Sequence, residues 1–284
     1  MSPPLQAAVA EAASAIAAAE AILVATGAGM GVDSGLPDFR GNAGFWRAYP
    51  PLERLGISFS QMANPAWFAR DAELAWGFYG HRLNLYRATR PHAGFALLRR
   101  WSERTRHGGF VFTSNVDGQH QQAGFRADRI VECHGSIHHL QCTDCVQTPR
   151  IWDAEEAGVE VVVDPESFRA EPPLPACPRC GSLARPNILM FGDWDFIPTR
   201  TAEQEQRFER WLDSVHSSRL VIVEIGAGSA VPTVRMTSER VVRVLGGRLI
   251  RINPREPEVP AGQIGLAAPA LRTLQQIDER LDKG

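Results

Sequence analysis

The sequence predicts an α/β chain built on an open parallel sheet, interrupted by a helical insertion and by a small zinc ribbon. Three observations carry that expectation. Short apolar runs, Ala21–Ala25, Phe110–Thr113, Arg129–Glu132, Leu220–Ile225 and Arg248–Asn253, recur between helical stretches, the alternation of a parallel sheet with crossover helices. The runs end in glycine or polar residues rather than tight hairpin turns, which places ligands at the strands' carboxyl ends. Residues 137–190 break the alternation and carry two Cys-x-x-Cys pairs.

In chain order, residues 5–20 are alanine-rich with Glu11 and Glu20, a helix by propensity. The buried strand after it ends in Thr26-Gly27-Ala28-Gly29, where the missing Cβ atoms let backbone N–H groups approach a pyrophosphate. That turn alone also fits α/β proteins that bind no nucleotide. Its continuation Pro37-Asp38-Phe39-Arg40 sets a rigid turn, a carboxylate, an aromatic ring and a guanidinium side by side, more chemistry than holding a phosphate needs. From Gly41 to about Pro91 aromatic residues are dense, and the stretch around Trp67 to Trp76 reads as a helix starting near Asn64-Pro65. Pro91 to His107 is a further helix, stopped by Gly108-Gly109; Thr201 to His216 is amphipathic, and Pro269 to Leu281 closes the chain as a helix.

Composition narrows the function classes. At 284 residues, 44% hydrophobic and 22% charged, the chain is an ordinary globular protein long enough for a large core and a subsidiary domain. A formal net charge of −2 gives no reason to expect nucleic acid as a partner. No apolar run nears the roughly 18 residues of a membrane helix. The first basic residue is Arg40, so no signal or transit segment is expected and a cytoplasmic location is the default. Lys283 is the sole lysine, which removes P-loop and Schiff-base chemistry.

Cys142, Cys145, Cys177 and Cys180 stand as C-x2-C, 31 residues, C-x2-C. In a cytosolic chain that spacing argues for one structural zinc, each pair supplying two thiolates from one tight turn. Four sulfurs fill the shell and leave no position for water. His134 lies at a strand's carboxyl end in Glu132-Cys133-His134-Gly135-Ser136, facing the same crevice as Asn115 and Asp117. Cys133 could be a nucleophile, but strand alternation aims it away from the His134 face, toward the core.

Taken together, Gly27-Ala28-Gly29, Ser34-Gly35-Leu36-Pro37-Asp38-Phe39-Arg40, Thr113-Ser114-Asn115-Val116-Asp117, His134-Gly135, the cysteine quartet and Arg185-Pro186-Asn187-Ile188-Leu189-Met190-Phe191-Gly192-Asp193 resemble, in content and order, the sirtuins, NAD-dependent protein deacylases. The resemblance runs from about residue 20 to 280. It implies a Rossmann-like domain of residues 1–136 and 191–284, with a helical insertion at 41–91, and a zinc-binding small domain at 137–190. NAD, consumed as co-substrate, and an acyl-lysine protein substrate would meet in the cleft between them.

The resemblance also implies roles. Gly27, Ala28 and Gly29 would contact the pyrophosphate. Asp38 would hold the nicotinamide carboxamide, with Phe39 shielding the reactive sugar carbon and Arg40 near the phosphates. Ser114, Asn115 and Asp117 would order the nicotinamide ribose and nearby water, and Gly226, Ala227, Gly228 and Asn253 would line the adenosine half. His134 would be the general base, and Phe191 would border the peptide. Tyr79 and Arg82, one helical turn apart, resemble the pair in sirtuins that accept succinyl or malonyl lysine, where both could reach a distal carboxylate.

Departures stand beside the match. Gly226-Ala227-Gly228 replaces the usual Gly-Thr-Ser, the following Ser229–Arg235 run differs, Gln119 stands where leucine is usual, and Asp193 replaces a glutamate. The reading is therefore a deacylase releasing nicotinamide and O-acyl-ADP-ribose. A protein ADP-ribosyltransferase and a non-enzymatic NAD or ADP-ribose sensor are the alternatives.

Overall fold

Residue alternation along the first strand, Ala21–Thr26 (β1), organises the whole molecule. Ile22 and Val24 enter one apolar cluster; Ala21, Leu23 and Ala25 enter another, on the opposite face. A strand buried on both sides in this way belongs in the middle of a parallel sheet covered by helices on each face. The computed structural model describes residues 3–37, 41–145 and 150–282, and in it β1 is such a strand.

Gly109–Thr113 (β2) and Ile130–Glu132 (β3) lie on one side of β1. After Gly135–Cys142 (β4), Ile151–Asp153 (β5) and Ala184–Ile188 (β6) the chain returns, with Leu220–Ile225 (β7), Arg248–Ile252 (β8) and Ile264–Leu266 (β9) on the other side. The order is β3-β2-β1-β7-β8-β9, with every pairing parallel. This is a Rossmann-like arrangement, and its order reverses between β1 and β7, the place where such sheets hold ligands.

Helices Pro3–Ala17, Ala93–Arg104 and Ala270–Leu281 contribute Val9, Ile16, Phe95, Leu98, Leu274 and Ile277 to one face. Helices Thr199–Ser214 and Thr233–Leu245 contribute Phe208, Trp211, Val234 and Val241 to the other. Full burial of a side chain of this size is worth about 1.5–3 kcal/mol, so these two clusters supply most of what anchors the sheet. β7 and β8 also carry a buried pair in register, Glu224 and Arg251, whose guanidinium reaches Glu239 as well.

The antiparallel sheet β5-β4-β6 is separate. Its Ile137, Leu140, Ala184 and Ile188 pack into a third cluster with Phe45, Tyr49, Trp76, Phe78 and Tyr79 from the helices that follow the glycine turn. Among the described residues no helix is long and apolar enough to cross a membrane.

Two expectations change. The sheet does not end at β8: β9 adds a sixth strand, three residues long and too short for alternation to register in the sequence. The stretch around Trp67–Trp76 is two helices, Ala66–Arg70 and Ala72–Ala88, parted at Asp71. Asp71 leaves helical geometry there, its carboxylate capping the second helix at the Leu74 N–H and pairing with Arg169, a bond to residue 169 that local propensity does not contain.

Candidate active site

The carboxyl ends of the central strands are knitted by backbone hydrogen bonds. Gly27 N–H donates to Ile225 O at 3.0 Å, Gly29 N–H to Gly226 O at 3.0 Å and Ser114 N–H to Thr26 O at 3.1 Å. Gly226 has φ +63°, and a Cβ there would lie 2.4 Å from the Gly29 backbone. A Cβ on Gly27 would lie 2.8 Å from Ala227. The two glycine turns thus touch backbone to backbone. Ala28 is exposed between them. Asn253, at the end of β8, is buried and donates to Ala227 O at 2.9 Å, so it holds the second turn from below.

Asn115 leaves β2 with its amide nitrogen on Gly27 O at 3.1 Å and its own N–H on the Thr113 hydroxyl at 3.0 Å. Asp117 follows two residues later, 7% exposed, its carboxylate accepting the Gln119 N–H at 2.9 Å. Burial pushes its carboxyl up to about 6, with Glu132 reinforcing the shift. Ser114 is half-buried.

His134 is half-buried just beyond β3, and its Nε2 lies 3.5 Å from the Thr233 hydroxyl. Burial lowers its basicity and a hydrogen bond with the Ser114 main chain partly restores it, so the ring is a neutral imidazole at physiological pH. Gly135 next to it has φ +77°, and a Cβ there would fall 2.0 Å from Asn187 O. Only glycine permits β4 to turn away from His134 so closely. Leu189 N–H donates to His134 O at 3.0 Å, tying the segment that carries Phe191 to the same point. Phe191 is exposed, its ring meeting the edge of Phe59.

The structure therefore brings Gly27, Gly29, Ser114, Asn115, Asp117, His134, Gly226, Ala227 and Asn253 to one end of the sheet. Gly228 follows on the same turn. Asp38, Phe39 and Arg40 lie outside the described residues; a cavity of about 300 Å³ lined by Leu36, Pro37, Tyr49 and His81 adjoins them in the chain. Cys133 is buried among apolar residues, its thiol pushed up to about 12, as expected for a packing residue.

A model of the Sir2 family matches residues 27–231. The chain belongs to the Sir2 family. Among curated relatives, NAD-dependent protein deacylase 1 of Archaeoglobus fulgidus is 30% identical over 272 residues, covering 94% of this chain and 96% of the relative. The NAD-dependent protein deacylase of Pyrococcus abyssi is 31% identical over 250 residues, covering 88% of each. Among solved structures, a mutant Sir2 homologue in complex with ADP-ribose superposes with TM-score 0.71 at 29% identity, over 96% of each chain. A Sir2 homologue in complex with NAD gives 0.69 at 28%, over 96% of this chain and 93% of that one.

The Sir2 cysteine quartet is assembled at the small sheet. The sulfurs of Cys142, Cys145, Cys177 and Cys180 all lie within 4.8 Å of one another, with separations of 3.5 Å for Cys142–Cys180, 3.5 Å for Cys145–Cys180 and 3.9 Å for Cys145–Cys177. Thiolates around a tetrahedral zinc at about 2.3 Å stand about 3.8 Å apart, so the four sulfurs fit that ion. Cys142 Sγ accepts the N–H groups of Asp144 and Cys145 at 3.3 Å each, the local mark of a metal-binding knuckle.

Tyr79 is buried in the third cluster, and Arg82 is buried against it. The Arg82 guanidinium donates to the Tyr86 hydroxyl at 2.8 Å and lies over the rings of Phe78, Tyr79 and Tyr86. The Tyr79 hydroxyl has no hydrogen-bond partner among the described residues. Sequence reasoning missed Thr233, whose contact with His134 spans 99 positions, and Tyr86, whose i+4 spacing from Arg82 was a usable signal.

Asp117 gives a pH prediction. Its folded-state value lies above the ordinary 3.8, so its contribution to stability is fully present below pH 3.8 and is lost as pH rises through about 6. Asp117→Asn keeps the acceptor for Gln119 and removes the charge. At pH 8 the variant is expected to be more stable than wild type by on the order of 2–3 kcal/mol, and the gain should fade on acidification toward pH 4 in urea unfolding curves. A gain independent of pH would contradict the assignment.

Proposed function

We propose that this chain is an NAD-dependent protein-lysine deacylase, releasing nicotinamide and O-acyl-ADP-ribose. The observation that carries the reading is the convergence of a neutral His134 with Asn115 and Asp117 at the strand ends beside the paired glycine turns. Membership of the Sir2 family and the curated relatives named as NAD-dependent protein deacylases support it.

Residues 1–136 and 191–284 hold the dinucleotide on this reading. Residues 137–190, with the helical insertion 41–91, cover the acyl-lysine side. Gly27, Ala28 and Gly29 form the turn that faces the pyrophosphate. Asp38 holds the nicotinamide carboxamide, Phe39 shields the reactive sugar carbon from water and Arg40 neutralises phosphate charge. Ser114, Asn115 and Asp117 order the nicotinamide ribose. Gly226, Ala227, Gly228 and Asn253 line the adenosine half, and Phe191 borders the acylated peptide. Bound NAD supplies a ribosyl carbon whose nicotinamide leaves as a neutral amide, so the acyl oxygen can capture it.

His134 acts at Nε2. A neutral imidazole accepts a proton from a ribose hydroxyl while that oxygen attacks the acyl carbon, and the hydrogen bond with the Ser114 main chain orients the ring. The depressed basicity keeps the base form populated at neutral pH. Cys142, Cys145, Cys177 and Cys180 would hold zinc as a structural ion, since four thiolates complete its shell.

His134→Ala is expected to lower deacylation by at least about 100-fold while NAD affinity, measured by calorimetry, stays within a few-fold of wild type. Retained turnover in His134→Ala would remove the general-base role.

Tyr79 and Arg82 bear on acyl choice. A buried guanidinium beside a phenol with a spare hydrogen bond suits a distal carboxylate, which favours succinyl or malonyl lysine over acetyl. Arg82→Met should cut succinyl-peptide turnover by about tenfold or more and leave acetyl-peptide turnover largely intact. Equal losses on both peptides would assign Arg82 to packing alone.

A further inference from the structure

The short helix Gln119–Gln122 begins where Asp117 ends, and it carries a histidine that none of the roles above uses. His120 is 2% exposed, with its ring against the edges of Phe95 and Phe125. Its Nε2 lies 2.9 Å from the Thr26 hydroxyl, at the last residue of β1. The Thr26 hydroxyl donates to the Thr113 hydroxyl at 2.8 Å, at the last residue of β2, and the Thr113 hydroxyl donates back to Thr26 O at 3.1 Å. Thr113 Oγ1 also accepts the Asn115 N–H at 3.0 Å.

One tautomer satisfies these bonds. Thr26 has one hydroxyl proton and directs it to Thr113, so Thr26 Oγ1 accepts from His120, which must carry its proton on Nε2. Nδ1 has no partner among the described residues and is buried. The reverse tautomer would bury an unpaired N–H donor, the costlier arrangement. A protonated ring would do the same, consistent with burial driving the imidazole down to about 3. The ring is therefore a permanent neutral donor.

We propose that His120 is a positioning residue of this site. Its Nε2–H fixes, through the Thr26 and Thr113 hydroxyls, the two strand ends from which Gly27 and Asn115 extend. The same short helix is held at its first residue, where Asp117 Oδ1 accepts the Gln119 N–H. One ring of bonds thus joins β1, β2 and the Asp117 turn, and it fixes where the Asn115 amide meets Gly27 O. The inference concerns the geometry of those strand ends; its kinetic consequence rests on the deacylase reading.

Three variants test it. His120→Leu fills the space and removes the donor, whereas His120→Gln places an amide N–H near the position of Nε2. Thr113→Val breaks the relay one step further on. Expected for His120→Leu is a fall in kcat of about tenfold or more, with the acyl-peptide KM within twofold of wild type and a similar melting temperature. His120→Gln should recover most of the loss, and His120→Leu combined with Thr113→Val should be no worse than the poorer single variant. Equal losses in His120→Leu and His120→Gln, or additive losses in the double variant, would overturn the proposal.

A second readout is independent of turnover. Nitrogen-15 NMR of the resting protein should show His120 neutral with its proton on Nε2, and a proton on Nδ1 would overturn the proposal. If wild type turns over no acyl peptide, the deacylase reading fails by itself. His120 is then judged by its tautomer and by NAD affinity, which His120→Leu should weaken and His120→Gln restore; unchanged affinity in His120→Leu would overturn it.

Discussion

Two glycine turns in backbone contact are the constraint on which the rest of this structure depends. Gly27 and Gly29 end β1, Gly226 ends β7, and the turns approach closely enough that a Cβ at Gly226 would collide with Gly29. That approach is possible because β1 and β7 are neighbours in register, Thr26 opposite Ile225. It holds the strand ends at one level, so that the Asn115 amide reaches Gly27 O from β2 and Asn253 reaches Ala227 O from β8. The replacement of the usual Gly-Thr-Ser by Gly226-Ala227-Gly228 keeps the one residue that the left-handed backbone requires.

Around that scaffold the site trades stability for chemistry. Asp117 is a carboxylate in a buried turn where ionisation is disfavoured, and His134 is an imidazole whose burial keeps it unprotonated. Neither is arranged for maximal stability. The apolar clusters on the two faces of the sheet supply the rigidity that lets both persist, and the backbone hydrogen bond from Leu189 holds His134 in place.

Much of the fold was legible in the sequence because its signals are local. Leu220–Ile225 is a continuous apolar run, and the paired Cys-x-x-Cys knuckles declare a metal site by spacing alone. What was not legible depends on partners distant in the chain. Asp71 breaks a helix because Arg169 waits for it, Thr233 meets His134 across 99 positions, and Gly226 is needed because Gly29 lies against it. The His120 relay was hidden for the same reason: threonines at strand ends look ordinary until residues 26, 113 and 120 meet. Asp38, Phe39 and Arg40, prominent in the sequence, lie outside the described residues, so their roles rest on the family pattern alone.

The central claim is that NAD is consumed here in step with removal of an acyl group from lysine. The most direct measurement follows nicotinamide, free lysine peptide and the fate of the acyl group in one reaction by mass spectrometry. The account predicts one nicotinamide released for each lysine freed, with the acyl group recovered on ADP-ribose. Nicotinamide release with ADP-ribose attached to protein, or lysine freed without nicotinamide, would contradict it.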